Sequence, residues 1–190
     1  TGEQVWKVRA DSHSAALITA TPALHGGTLF VTVSSLEESS SADPAYQCCT
    51  FRGSVLALDA RTGKEKWRTW MVGEPQRRQD GSGRVEYGPS GVAVWNTPAV
   101  DARRGLIYFA TGDNYTQPAT ELSDAVVAMD MATGKIKWAH QATKGDAWNV
   151  GCYVGGDNCP DDAGPDFDFG AGVILMRNAA GRDLVLAGQK

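Results

Sequence analysis

An all-β fold, a β-propeller of four-stranded antiparallel blades, is predicted by three observations: a phrase that repeats along the chain, apolar runs of strand length, and glycine-marked turns between them. The phrase is clearest at residues 57–67, ALDARTGKEKW, and 128–138, AMDMATGKIKW, which share seven positions. A shortened copy opens the chain with Thr1, Gly2, Val5 and Trp6. Repetition of this kind marks propellers and other arrays.

Each copy reads as strand, tight turn, strand. An apolar run, Val55 to Leu58 or Val126 to Met129, meets an Asp and then Thr-Gly-Lys. Gly63 and Gly134 supply the positive φ that such a turn needs. Trp67 and Trp138 follow in phase to set a large ring on a neighbouring sheet, with the indole N–H free to reach a carbonyl. Trp6, Trp67 and Trp138 stand 61 and 71 residues apart, more than the ~40–50 of common propeller repeats, so the extra length is expected in loops.

The intervening segments repeat as well. TATPALHGGTLFVTVSS (19–35) gives two short strands around His25-Gly26-Gly27, and NTPAVDARRGLIYFATGDN (96–114) matches its Thr-Pro-Ala and places LIYFA where LFVTV stood. FGAGVILMRNAAGRDLVLAGQK (169–190) keeps strand, turn and strand without the Thr-Pro. Helix finds little support. The chain opens inside one repeat and stops after LVLAG, so residues 1–190 are expected to be a partial propeller of roughly two to three blades, truncated at both ends. Long polar loops at 34–52, 73–91, 114–123 and 144–169 are where chemistry is sought, because long loops in a compact repeat are usually functional.

Composition narrows the function. With 42% hydrophobic and 21% charged residues the chain is an ordinary globular one. A net charge of -4 with scattered Lys and Arg leaves no footprint for nucleic acid or an anionic membrane, and the apolar runs are too short to span a bilayer. The four cysteines, Cys48 with Cys49 and Cys152 with Cys159, suggest an oxidising compartment and hence a periplasmic or secreted location, four reduced thiols being the alternative. Across Gly155-Gly156, a loop-closing Cys152–Cys159 disulfide is the simplest account. Cysteine and histidine spacing argues against zinc, and without a CxxCH motif any cytochrome lies outside this sequence.

ALDARTGKEKW, WNTPAVDARRGLIYFATGDNY, SDAVVAMDMATGKIKW and the adjacent cysteines together resemble the pyrroloquinoline quinone (PQQ) dependent alcohol dehydrogenases, a quinoprotein family. CCTFRGSVLALD with GDAWNVGC is most similar to their polyvinyl alcohol dehydrogenase branch. The resemblance implies PQQ and calcium as cofactors, secondary alcohols, polymeric ones included, as substrates, and a cytochrome c as electron acceptor. Two rivals remain: a PQQ dehydrogenase for another alcohol or sugar, and a non-catalytic propeller that binds protein partners, since such propellers share the TGKxxW-like turn.

The resemblance also implies a site. Glu37 stands where the family has a calcium ligand, with Glu38 its rival; Asp113 takes the place of a ligating Asn, and Asn114 follows it. Unaided by the resemblance, the two glutamates read as a solvated loop and Asp113 as part of an Asx-type turn. Trp95 is the indole platform for PQQ, Thr19 and Ser34 face its carboxylates, and Lys190 lies near the quinone oxygens. Cys48 and Cys49 correspond to a vicinal disulfide over one face of PQQ, although neighbouring Cα atoms are only ~3.8 Å apart. For the catalytic base the candidates are Asp168, then Asp166, then Asp146. GDAWN supplies Asp146 but puts Asn149 where the family's second acid stands, and an amide cannot take the alcohol proton.

Overall fold

A computed structural model describes residues 1–79 and 83–190. Its first sheet runs Ala16–Leu17, Thr28–Ser35, Ser54–Asp59, Glu65–Trp70, with Ala23–His25 pairing the other end of Thr28–Ser35, all antiparallel. The second orders Ala99–Asp101, Leu106–Ala110, Ala125–Asp130 and Ile136–Gln141 in the same way. A hairpin of Ile174–Arg177 and Asp183–Leu186 begins the third. The two complete sheets match in register: Phe30 faces Ala57 and Ala57 faces Trp67, as Tyr108 faces Ala128 and Ala128 faces Trp138. Both carry a bulge at the same place, after Ala57 and after Ala128.

The turns form as the repeat predicts. Gly63 and Gly134 take φ values of 72° and 70°. In each turn the preceding Asp accepts three hydrogen bonds at one oxygen: Asp59 Oδ1 from the amides of Arg61 and Thr62 and the Thr62 hydroxyl, Asp130 Oδ1 from the amides of Ala132 and Thr133 and the Thr133 hydroxyl.

The tryptophans then link one sheet to the next. Trp6 Nε1 donates to Ala60 O and Trp67 Nε1 to Met131 O, each at 3.0 Å. A Cβ on Gly63 would meet the Trp6 ring at 2.7 Å, and one on Gly134 the Trp67 ring at 2.6 Å, so the same glycine serves the turn and the docked indole.

Period-two alternation sorts the core. Phe30, Val55 and Ala57 of the first sheet pack on Ile107, Phe109, Val127 and Met129 of the second, while Val31, Val33, Leu56 and Leu58 point the other way. Tyr108, Ala110 and Ala128 meet Leu175 and Val185 of the third unit. A sheet buried on both faces needs near-continuous apolar strands, which is why VLAL and AVVAM read as they do. Faces stacked in this order make a β-propeller arrangement.

Helix is confined, among the described residues, to one turn at Glu37–Ser40 and a 3₁₀ turn at Val150–Cys152. Two further strand pairs lie within the long connections, Gln76–Gln79 with Val85–Gly88 and Ser90–Gly91 with Asn114–Thr116; residues 80–82 of the first connection lie outside the described part. No helix among the described residues is long and apolar enough to cross a membrane. Both expected cysteine pairs are disulfide-bonded.

Candidate functional site

At the strand ends, backbone pairing brings together residues far apart in sequence. Leu106–Ala110 runs on into Thr111-Gly112-Asp113, where Gly112 N donates to Ala93 O and Val92 N to Asp113 O. Phe169 N donates to Thr111 O, and Lys190 N to Asp168 O. Asn96 fixes the segment after Trp95: its side chain donates to Ala110 O and Phe169 O and accepts from Ala110 N. Trp95, Asp113, Asp168 and Lys190 thereby reach one cavity of about 290 Å³, together with Thr19, Ser34, Glu38 and Tyr115.

The cavity is acidic. Carboxylate oxygens of Asp113, Asp166 and Asp168 lie within 4.8 Å of one another. Asp113 N donates to Asp168 Oδ1 at 2.7 Å, and Lys190 Nζ lies 2.5 Å from Asp166 Oδ1 and 2.9 Å from Asp168 Oδ2. The same ammonium stands 5.9 Å from the centre of the Trp95 ring. Gly112 makes the close approach possible, since a Cβ there would meet Asp168 Oδ1 at 2.6 Å and Trp95 Nε1 at 3.5 Å.

So many acids placed together and largely buried oppose one another's ionisation. Burial, then the charges of Asp168 and Asp166, push Glu38 up to about 7 against the pull of Lys190. Asp113 is driven well above its ordinary value by burial, then by Asp168, Glu38, Asp124 and Asp146. Burial raises Asp166 too, opposed by its hydrogen bond to Lys190. For Lys190 burial works downward, but its bonds to Asp166 and Asp168 outweigh it and raise the ammonium's pKa. Behind them Asp124, buried and without a hydrogen-bond partner on either oxygen, is pushed up to about 8 by burial and then by Asp146 and Asp168.

This donor set suits a hard cation. Buried Asp113 Oδ2 has no partner, three carboxylates converge, and a divalent ion would replace mutual repulsion with shared ligation. The cavity also suits a flat, polyanionic quinone: an indole forms one wall, Lys190 supplies positive charge, and Thr19 and Ser34 supply hydroxyls.

The structure does not bring all expected residues here. Glu37 is fully buried and its carboxylate is spent on the amides of Thr50 and Phe51 and the hydroxyls of Tyr46 and Thr50. It anchors the segment after the cysteines, and Glu38 is the glutamate that faces the cavity. Asn114 also turns away, donating to Ser90 O and accepting from the amide and hydroxyl of Thr120. Cys48 and Cys49 sit in the apolar cluster behind the cavity wall, with Phe51, Ala93 and Tyr115, and do not line it. Asp146 is buried, its oxygens accepting from the amides of Asp166 and Phe167. Sequence reasoning passed over Asp124, Asn96 and Tyr115. Asn96 and Tyr115 lie inside the phrases that carried the resemblance, and their burial was the missing signal.

Comparison with known proteins bears on the family and the fold. Residues 2–153 match the family model described as PQQ, glucose/ethanol/alcohol dehydrogenase, β-propeller domain. The whole chain aligns at 41% identity with a polyvinylalcohol dehydrogenase of Pseudomonas sp. and at 39% with that of Sphingopyxis sp. (strain 113P3), spanning 30% of each. Among solved structures, the quinohemoprotein alcohol dehydrogenase ADHIIG of Pseudomonas putida HK5 superposes over 100% of this chain and 27% of its own, with a TM-score of 0.68 and 25% identity. Repeat, stacked sheets, acidic cavity and these likenesses lead to one conclusion: the chain belongs to the β-propeller family of PQQ-dependent glucose, ethanol and alcohol dehydrogenases.

Proposed function

We propose that this chain is part of a larger propeller that oxidises secondary alcohols of the polyvinyl alcohol kind with PQQ and calcium, passes the electrons to a cytochrome c, and works in the periplasm or outside the cell. The observation that carries this reading is the convergence of Glu38, Asp113, Asp168, Lys190 and the Trp95 indole around one cavity, with Asp166 against Lys190 and Asp168 beside it. The two polyvinylalcohol dehydrogenases among its relatives support the substrate class, and the two disulfides support the oxidising location.

When bound, PQQ supplies the hydride acceptor and calcium the Lewis acid that polarises it. Glu38, Asp113 and Asp166 would hold the metal. Trp95 offers its face to a planar ring system and Ser34 a hydroxyl to a peripheral carboxylate, while the Thr19 hydroxyl donates to Trp95 O at 3.3 Å. Asp168 takes the hydroxyl proton of the alcohol. It is placed for this because Lys190 and the Asp113 amide hold its carboxyl group in one orientation. Lys190 also places a cation 5.9 Å from the centre of the Trp95 ring, where it would stabilise negative charge on a bound quinone.

The test is reconstitution of the full-length protein with PQQ and calcium, followed by dye reduction with secondary alcohols, primary alcohols and sugars. Turnover on secondary alcohols, lost at least ~10²-fold in Asp168→Asn with cofactor uptake retained, is the expected result. Absence of PQQ uptake would sink the enzyme reading; full turnover by Asp168→Asn would overturn only the choice of base.

A further inference from the structure

We infer that Asp146 is a positioning residue that holds the metal-binding carboxylates in register, and that it takes no proton from the substrate. The inference rests on the metal reading just given and deepens it. Asp146 is fully buried and does not line the cavity. Its Oδ1 accepts from Asp166 N at 3.3 Å and its Oδ2 from Phe167 N at 3.0 Å, so both oxygens are engaged.

The same residue is tied to the other ligand segment through its main chain. Asn114 N donates to Asp146 O at 3.4 Å, Trp148 N donates to Asn114 O at 2.7 Å, and Asn114 and Ala147 form a parallel bridge. One residue therefore joins the segment that follows Asp113 to the loop carrying Asp166 and Asp168. The loop needs such a hold, because Asp166 sits at a φ of 59°, a region costly to a non-glycine residue. Two charge-assisted bonds from consecutive amides offset that cost.

A carboxylate can accept both amides, whereas a carboxamide has one accepting oxygen and would turn its NH₂ toward the second N–H. Asp146→Asn keeps the shape but breaks the clamp. Gly164→Ala perturbs the same contact from the other side: a Cβ there would meet Asp146 Oδ1 at 2.1 Å. Residues that orient metal ligands typically change affinity by about 10–100-fold when replaced.

The experiment is a titration of the metal-free full-length protein with terbium, read by tryptophan-sensitised luminescence and reversed with calcium, alongside thermal melts and dye-linked turnover. Asp146→Asn is expected to bind terbium and calcium about 10–100-fold more weakly, to melt as a folded protein, and to recover turnover at saturating calcium. Should Asp146→Asn fail to fold, Gly164→Ala must show the same weakened binding for the inference to stand. Unchanged metal affinity overturns it, and unchanged affinity with turnover lost at saturating calcium would return Asp146 to the role of base. If the wild-type protein binds neither ion, the metal reading itself falls and this inference with it.

Discussion

Glu37 and Glu38 are chemically identical neighbours with opposite tasks. A helical turn rotates successive side chains by about 100°, so the turn at Glu37–Ser40 sends Glu37 into the protein and Glu38 into the cavity. Nothing in SSLEESS distinguishes them, because the rotation is set by where the turn begins. Glu37→Gln removes a charged acceptor from two amides and two hydroxyls and is expected to cost about 1.5–3 kcal/mol in chemical denaturation, with metal binding retained. Glu38→Gln should weaken calcium binding and leave the unfolding midpoint nearly unchanged, as a titration paired with a melt would show. Gly112→Ala belongs to the same scale. Its methyl group would displace the Asp168 carboxylate, so turnover should fall by an order of magnitude or more while the fold survives.

At the scale of the element, the repeated turn is a small electrostatic device. Its hydrogen bond to the threonine hydroxyl, then that to the threonine amide, holds Asp59 below the ordinary carboxylate value, with Lys66 contributing. Asp130 is lowered in the same way by Thr133, with Lys137 beside it. A folded-state pKa below the unfolded one gives stability that is present above the unfolded value, near 3.8, and is lost as pH falls through the folded one. Thermal midpoints should therefore drop between about pH 5 and pH 2, and an Asp59→Asn, Asp130→Asn double variant should show a shallower drop. Gly134→Ala tests the turn against the docked indole. A positive φ and a Cβ 2.6 Å from the Trp67 ring predict a loss of more than ~1 kcal/mol, measured in denaturant. These elements were legible in sequence because each is local: strand, acid, threonine, glycine and tryptophan fall within eleven residues of one another.

At the scale of the whole molecule, long-range contacts complete the structure. The loop closed by Cys152 and Cys159 docks on residues more than a hundred positions earlier: Gly151 N donates to Ser41 Oγ, and Asn158 Nδ2 to the carbonyls of Ser41, Asp43 and Tyr46. That docking supports the turn presenting Glu38. Replacing both Cys152 and Cys159 with Ser should cost about 2–3 kcal/mol of stability, the value for closing so short a loop, seen as a lowered midpoint in melts without reductant. Asn114-Tyr115-Thr116 has the form of a sugar-acceptor triplet, but the Asn114 side chain is buried, donating to Ser90 O and accepting from Thr120, and presents no amide to a glycosylating enzyme.

The sequence by itself determined the repeated blade, its turns, its docking tryptophans and, through phrases shared with a family, the kind of chemistry to look for. Periodicity and turn geometry act over a few residues, and a chain written in strands of period two cannot hide them. Only the tertiary structure decided which acids meet. Glu37 and Asn114 were drawn away because buried amides and carbonyls claimed them, while Glu38, Asp113, Asp166, Asp168 and Lys190 converged from loops whose paths depend on contacts across more than fifty residues. A carboxylate's role is fixed by its partners, and those partners are chosen by the fold.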